Sequence, residues 1–172
     1  MKVGKFGQNI LNAAYAVYSH KDKLGFTRLM RAARDNDLKK VNTLLSKKGV
    51  ADIDAKNNAG DTALMIAARN GHLTIVEKLC NAGANTEVKN KNEDTALMIA
   101  AQQRHTNVVT ALLEKGTDKD AENNAGDTAL IIAANNDHTD VVKVLLQHDA
   151  DMSKKNHENK RALDIVAEKC NM

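Results

Sequence analysis

The sequence predicts an all-α solenoid, a row of stacked helix-turn-helix units with protruding β-hairpin loops between them. Three observations predict it. The heptapeptide Thr62–Ala68 returns at Thr95–Ala101 and, with one Met-to-Ile change, at Thr128–Ala134, each copy 33 residues after the last. Within each copy two apolar stripes run at helical spacing, Leu64, Ala67 and Ala68 followed by Val76, Leu79 and Cys80, so every unit carries two short helices. Between units lie polar stretches rich in Asn, Asp and Gly, such as 83–94, which lack apolar periodicity and read as a turn with a projecting hairpin. A unit of this length cannot bury its apolar face alone and must stack on copies of itself.

Taken in order, residues 1–24 fall outside the repeat register. Phe6, Ile10, Ala13, Ala14 and Val17 share one helical face, with Leu11, Tyr15 and Tyr18 beside it. This amphipathic segment is expected to cap the open end of the array over residues 25–172, where bare apolar surface would otherwise meet water. The first unit, near 25–57, keeps Gly25, Thr27, Leu29, Ala32, Ala33, Leu38, Val41, Leu44 and Leu45, with two extra residues near Lys47 to Val50. Three full units follow near 58–90, 91–123 and 124–156. A last half-length copy over 157–172 keeps Ala162, Leu163, Ile165 and Ala167 and is expected to cap the C-terminal end.

The second unit carries Asn58-Ala59-Gly60-Asp61-Thr62-Ala63-Leu64, then Gly71-His72-Leu73, Ile75-Val76-Glu77-Lys78-Leu79 and Gly83-Ala84-Asn85. With these residues at these spacings, the chain resembles the ankyrin repeat family from about Asp22 to its C-terminus. The pattern departs from the family in places. The family's Pro after Thr is Ala63, Ala96 and Ala129, its following His is Met65, Met98 and Ile131, and the chain has no proline. Alanine favours the helix and restores a backbone N–H. The hydrogen-bonded start that Thr, Pro and His share in the family is lost, so each unit is expected to be less stable than a consensus one. The third unit departs furthest, with Glu93 and Arg104 where the second has Gly60 and Gly71. If those positions need positive φ, each costs about 1 kcal/mol, making the third unit the expected soft spot. Asn36 and Asp137 stand at the Gly71 position and tolerate that conformation better.

Composition narrows the function classes. Aromatics are 2% of the chain, and Phe6, Tyr15, Tyr18 and Phe26 all lie in the first 26 residues, so the stacked layers are built of small aliphatic side chains. Cys80 and Cys170 form neither a disulfide framework nor a metal site; Cys80 replaces a helix leucine and reads as a small apolar residue kept reduced in the cytoplasm. No secretory signal or membrane-length apolar run is present. Residues 1–50 carry a net +8 and residues 51–172 a net −5. The basic end raises a nucleic-acid or other acidic ligand as an alternative partner. No interleaved aromatics, helix-turn-helix spacing or zinc ligands accompany it, so a solvated basic face or an acidic protein is preferred.

Catalytic readings find no support. Asp118-Lys119-Asp120-Ala121-Glu122 has a passing likeness to a calcium loop but lacks the glycine at the sixth position, and Gly4-Lys5-Phe6-Gly7 lacks the spacing of a phosphate loop. The resemblance implies that His72, His105 and His138 tie a helix start to a neighbouring loop. It also implies binding through hairpin tips and the exposed first helix. Here these supply Asp61, Asp94 and Asp127 at the tips, and Arg34, Asp35, Arg69, Asn70, Gln102, Gln103, Asn135 and Asn136 on the helices. Because interface energy concentrates in aromatic residues and Arg, the centre is expected near Arg34 and Arg69 with Phe26 as an apolar anchor. The expected protein is a monomeric, non-enzymatic adaptor, scaffold or occluding inhibitor of an unidentified protein partner. No cofactor, metal, small-molecule substrate or membrane is expected. Abundant Lys and Asn, together with the commonness of such arrays in host-associated microbes, extend the expected compartment to a host cell's cytosol.

Overall fold

The computed structural model describes residues 21–46 and 52–170. The proposed N-terminal capping helix and the two extra residues near Lys47 to Val50 lie outside the described residues, apart from the end of the former. Nine helices are present among the described residues: α1 (Arg28–Arg34), α2 (Leu38–Ser46), α3 (Ala63–Arg69), α4 (Leu73–Asn81), α5 (Ala96–Gln102), α6 (Thr106–Glu114), α7 (Ala129–Asn135), α8 (Thr139–Gln147) and α9 (Ala162–Cys170).

Helices of seven to nine residues are too short to persist alone, so their stability must come from packing. The first helices form one row, α1 on α3, α3 on α5, α5 on α7 and α7 on α9. The second helices form a parallel row, α2, α4, α6 and α8, each also packed on the first helix of its own pair. The core is the strip between the rows. Ala32–Ala33, Ala67–Ala68, Ala100–Ala101 and Ala133–Ala134 are all buried, which lets the first helices approach closely, while Val76, Leu79, Val109, Leu112 and Leu145 fill the second row. Beyond α9 the second row has no described member. There Leu146, Met152, Leu163 and Val166 are exposed and line an apolar groove.

Each full first helix starts at a threonine in extended backbone. The hydroxyls of Thr27, Thr62, Thr95 and Thr128 accept the amide N–H of Met30, Met65, Met98 and Ile131 at 3.2–3.4 Å. The family's proline and histidine are therefore not needed for this cap. In two repeats the substituting methionine adds a weak acceptor: the Met30 sulfur takes the Thr27 N–H at 3.3 Å and the Met98 sulfur the Thr95 N–H at 3.5 Å. The hairpin loops contain no strand ladder among the described residues. Their tips are turns, in which the Asn57 amide donates to the Asp61 carbonyl and the Gly60 amide to the Asn57 carbonyl.

The two suspect positions of the third repeat do adopt left-handed backbone, with φ +61° at Glu93 and +59° at Arg104 against +85° at Gly60 and +70° at Gly71. Nearby ion pairs offset little of this strain. Lys89 approaches Glu93 at 3.5 Å and Arg104 Nε reaches Asp140 at 3.1 Å, both near the surface where such pairs are worth less than about 1 kcal/mol. The Thr106 hydroxyl, and then Arg104, hold the Asp140 carboxyl below the usual carboxylate range. A carboxyl depressed on folding contributes stability at neutral pH that is lost as pH falls through its folded-state pKa, so this clasp between the third and fourth repeats loosens in acid.

Leu112→Ala, at a fully buried site, should cost about 2–5 kcal/mol in denaturant unfolding, whereas Asn124→Ala on an exposed tip should stay within about 0.5 kcal/mol. Glu93→Gly should gain about 1 kcal/mol. Amides of α5 and α6 should exchange faster than those of α3 and α4, and equal or slower exchange would remove the third repeat as the soft spot.

Candidate functional site

The polar surface of the array is held by ladders that step from one repeat to the next. At the tips, the amide of Asn58 donates to the Leu24 carbonyl, Lys91 to Ala59, Asn124 to Asn92 and His157 to Ala125, at 2.9–3.1 Å. A side-chain acceptor stands at the root of each tip, Asp22 in the first and Asn57, Asn90, Asn123 and Asn156 in the others. Asn90 Oδ1 accepts the amides of Asn92 and Asp94, closing its own turn, while its Nδ2 donates to Asp61 Oδ1 of the preceding repeat at 3.0 Å. Asn123 and Asn156 do the same, reaching Asp94 Oδ1 and Asp127 Oδ1 at 2.9 Å. Deeper in the loops Lys21, Lys56 and Lys89 each donate through Nζ to the carbonyl of Lys56, Lys89 and Glu122, at 2.7–2.8 Å. On the helix side, ring nitrogens of His72, His105 and His138 donate to the carbonyls of Arg34, Arg69 and Ala101, at 2.9–3.1 Å. These histidines join each second helix to the first helix of the preceding repeat.

A second regularity couples two positions eight residues apart, the last residue of each tip and the exposed end of the first helix. In the first repeat Arg34 lies over the Phe26 ring, 5.8 Å from its centroid. In the second, Arg69 meets Asp61 with two nitrogens, at 2.7 and 3.2 Å. In the last, the signs are exchanged, and Lys160 Nζ binds Glu168 Oε2 at 2.7 Å. In the third and fourth repeats the pair is Asp94 with Gln102 and Asp127 with Asn135. Among the described residues neither aspartate has a cationic partner, and each carboxylate accepts only the asparagine of the next repeat.

The twelve side chains singled out from the sequence are thus unequal. Asp61 is buried and its oxygens are taken by Arg69 and Asn90, so it belongs to the framework beneath the strip and not to its surface. Arg69, 39% exposed, neutralises it. Phe26 is half-buried under Arg34, which is itself exposed and paired with Asp35 at 2.8 Å. Asn70 and Asn136 each turn back to the carbonyl four residues earlier, Ile66 and Ile132, at 2.7–2.8 Å. Gln102, Gln103 and Asn135 are exposed, and Asp94 and Asp127 are half-buried. Asp94, Gln102, Asp127, Asn135 and Asn136 come together around one cleft of about 390 Å³ between the third and fourth repeats, floored by Met98 and Ile132. The eight-residue coupling was missed at the sequence level. Its signal was present in the exchange of Asp61 and Arg69 for Lys160 and Glu168 at the same register positions.

Among the described residues, no three His, Cys, Asp or Glu side chains converge as a metal site, and no helix is long and apolar enough to cross a membrane. Cys80 is half-buried, and that burial pushes its thiol up.

A family model for ankyrin repeats matches residues 5–90, 29–123, 82–156 and 115–171. The chain is 43% identical over 81 residues to the human mitochondrial disaggregase and 41% identical over 68 residues to the bovine one. Those stretches are 46% and 40% of this chain but only 11% and 10% of the relatives, so the chain spans about a tenth of their length. An ankyrin repeat protein of Rickettsia felis is 40% identical over 60 residues, 35% of this chain and 86% of that protein.

The root asparagines differ in reach, because the register position that Asn90 bonds in the preceding repeat, Asp61, is Phe26 for Asn57, a side chain with no acceptor. Asn90→Ala should therefore cost about 2 kcal/mol and Asn57→Ala about 1 kcal/mol in chemical denaturation; equal losses would show that the link to Asp61 adds nothing.

Proposed function

The chain belongs to the ankyrin repeat family, whose arrays are protein–protein interaction modules, and on that premise we propose that it binds a protein partner through the strip formed by its hairpin tips and exposed first-helix ends. The observation that carries this reading is the row Arg34–Asp35, Arg69–Asn70, Gln102–Gln103 and Asn135–Asn136, one step per repeat and predominantly exposed, mounted on a scaffold of ladders. Rigid mounting lowers the ordering cost of association. The strip changes character along its length. Its N-terminal end offers a guanidinium stacked on an aromatic ring, Arg34 on Phe26, and its middle offers amides and carboxylates. Arg34 and Phe26 form the anchor at the basic end, while Arg69 acts chiefly by holding Asp61. The module works by occluding or tethering its partner, as a monomer in the cytoplasm or a host cell's cytosol, without cofactor or covalent chemistry.

The test begins with capture of the partner on the immobilised chain and continues with calorimetric affinity for single variants. Arg34→Ala and Gln103→Ala on the strip should each weaken binding about tenfold, and Glu77→Ala and Lys143→Ala on exposed second-helix positions should change it less than about twofold. The reverse pattern would move the interface to the other face.

A further inference from the structure

We propose that the cleft between the third and fourth repeats receives two arginine side chains from an extended segment of the partner, one at Asp94 and one at Asp127, a conclusion that rests on the strip being the binding surface. The repeats themselves supply the comparison. The position eight residues after the last tip residue engages that residue in three of the five repeats, as Arg34 over Phe26, Arg69 on Asp61 and, with signs exchanged, Glu168 on Lys160. In the other two it is Gln102 and Asn135, which carry no charge, while the aspartates remain. Arg69 shows what this slot accepts, a guanidinium with two nitrogens on the carboxylate at 2.7 and 3.2 Å. Among the described residues the only charged side chains lining the cleft are Asp94 and Asp127, and each has committed one oxygen, Oδ1, to an asparagine and kept the other open.

Arginine fits better than lysine here. Its planar fork meets an open carboxylate oxygen and the neighbouring carboxamide oxygens of Gln102 or Asn135 together, and its stem can lie on the buried Met98 and Ile132. Helices packed side by side lie about 8–10 Å apart, so the two aspartates, one repeat apart, are separated by about that distance. A polyproline II segment has three residues per turn and rises about 3.1 Å per residue, placing residues i and i+3 on one side about 9 Å apart. The recognised pattern is therefore Arg-x-x-Arg.

The probe is a fluorescently labelled peptide, Ala-Pro-Arg-Ala-Pro-Arg-Ala-Pro, titrated with the full chain at low salt and followed by anisotropy, beside peptides with both arginines replaced by glutamine or set adjacent. Asp94→Asn and Asp127→Asn keep the oxygen that Asn123 or Asn156 needs and should each weaken binding about tenfold. Gln102→Arg and Asn135→Arg rebuild the second-repeat pairing and should weaken it equally while leaving the melting temperature unchanged or higher, so the result does not depend on how well the aspartate variants fold. Undiminished binding in these four variants, equal binding of the glutamine peptide, or no binding to the unmodified chain would overturn the assignment. A native partner that is lost on Gln103→Ala but indifferent to Asp94→Asn and Gln102→Arg would leave the strip standing and remove only its arginine specificity.

Discussion

Three of the hairpins are rooted in an asparagine, Asn90, Asn123 and Asn156, that serves two repeats at once, and the rigidity of the polar face between the second repeat and the last depends on them. The carboxamide oxygen closes the turn of its own tip, and its nitrogen reaches the aspartate of the tip before, as Asn90 does between Asn92, Asp94 and Asp61. Buried polar groups need such partners, because an unmade hydrogen bond there costs more than a made one contributes. No buried side-chain polar atom among the described residues lacks one. The ladder thereby fixes where each aspartate stands and how many of its oxygens remain open.

Apolar stacking sets the spacing on which that ladder is drawn. First helices of seven residues, faced with paired alanines, approach closely enough that one tip can hydrogen-bond the next through its backbone. Strain is tolerated where stacking over-determines it. Glu93 and Arg104 hold left-handed backbone that their residue types resist, as Asp149 and Asn159 do more easily further along the array. The third repeat thus combines the least relaxed backbone with one wall of the polar cleft. Left-handed backbone at non-glycine residues and an unneutralised carboxylate coincide there.

Much of this was legible in the residues. The return of Thr62–Ala68 at a constant interval gives the helix pairs, and the threonines mark their starts correctly. The histidines at 72, 105 and 138 show by their shared register that they belong to the scaffold, as the carbonyls they bind confirm. The candidate strip was less legible. Asn and Asp are what turns require and also what interfaces use, so composition cannot separate Asp61, sealed by Arg69 and Asn90, from Asp94, which keeps an oxygen open.

By itself the sequence determined the repeat, its two helices, their caps and the small-residue stripes, because these follow from local periodicity and from interactions three or four residues apart. Only the tertiary structure decided which polar side chains are ladder rungs and which face outward. That choice turns on contacts between positions about 29 to 38 residues apart in the chain, such as Asn90 with Asp61 and His72 with Arg34, and these are set by how one layer seats on the next.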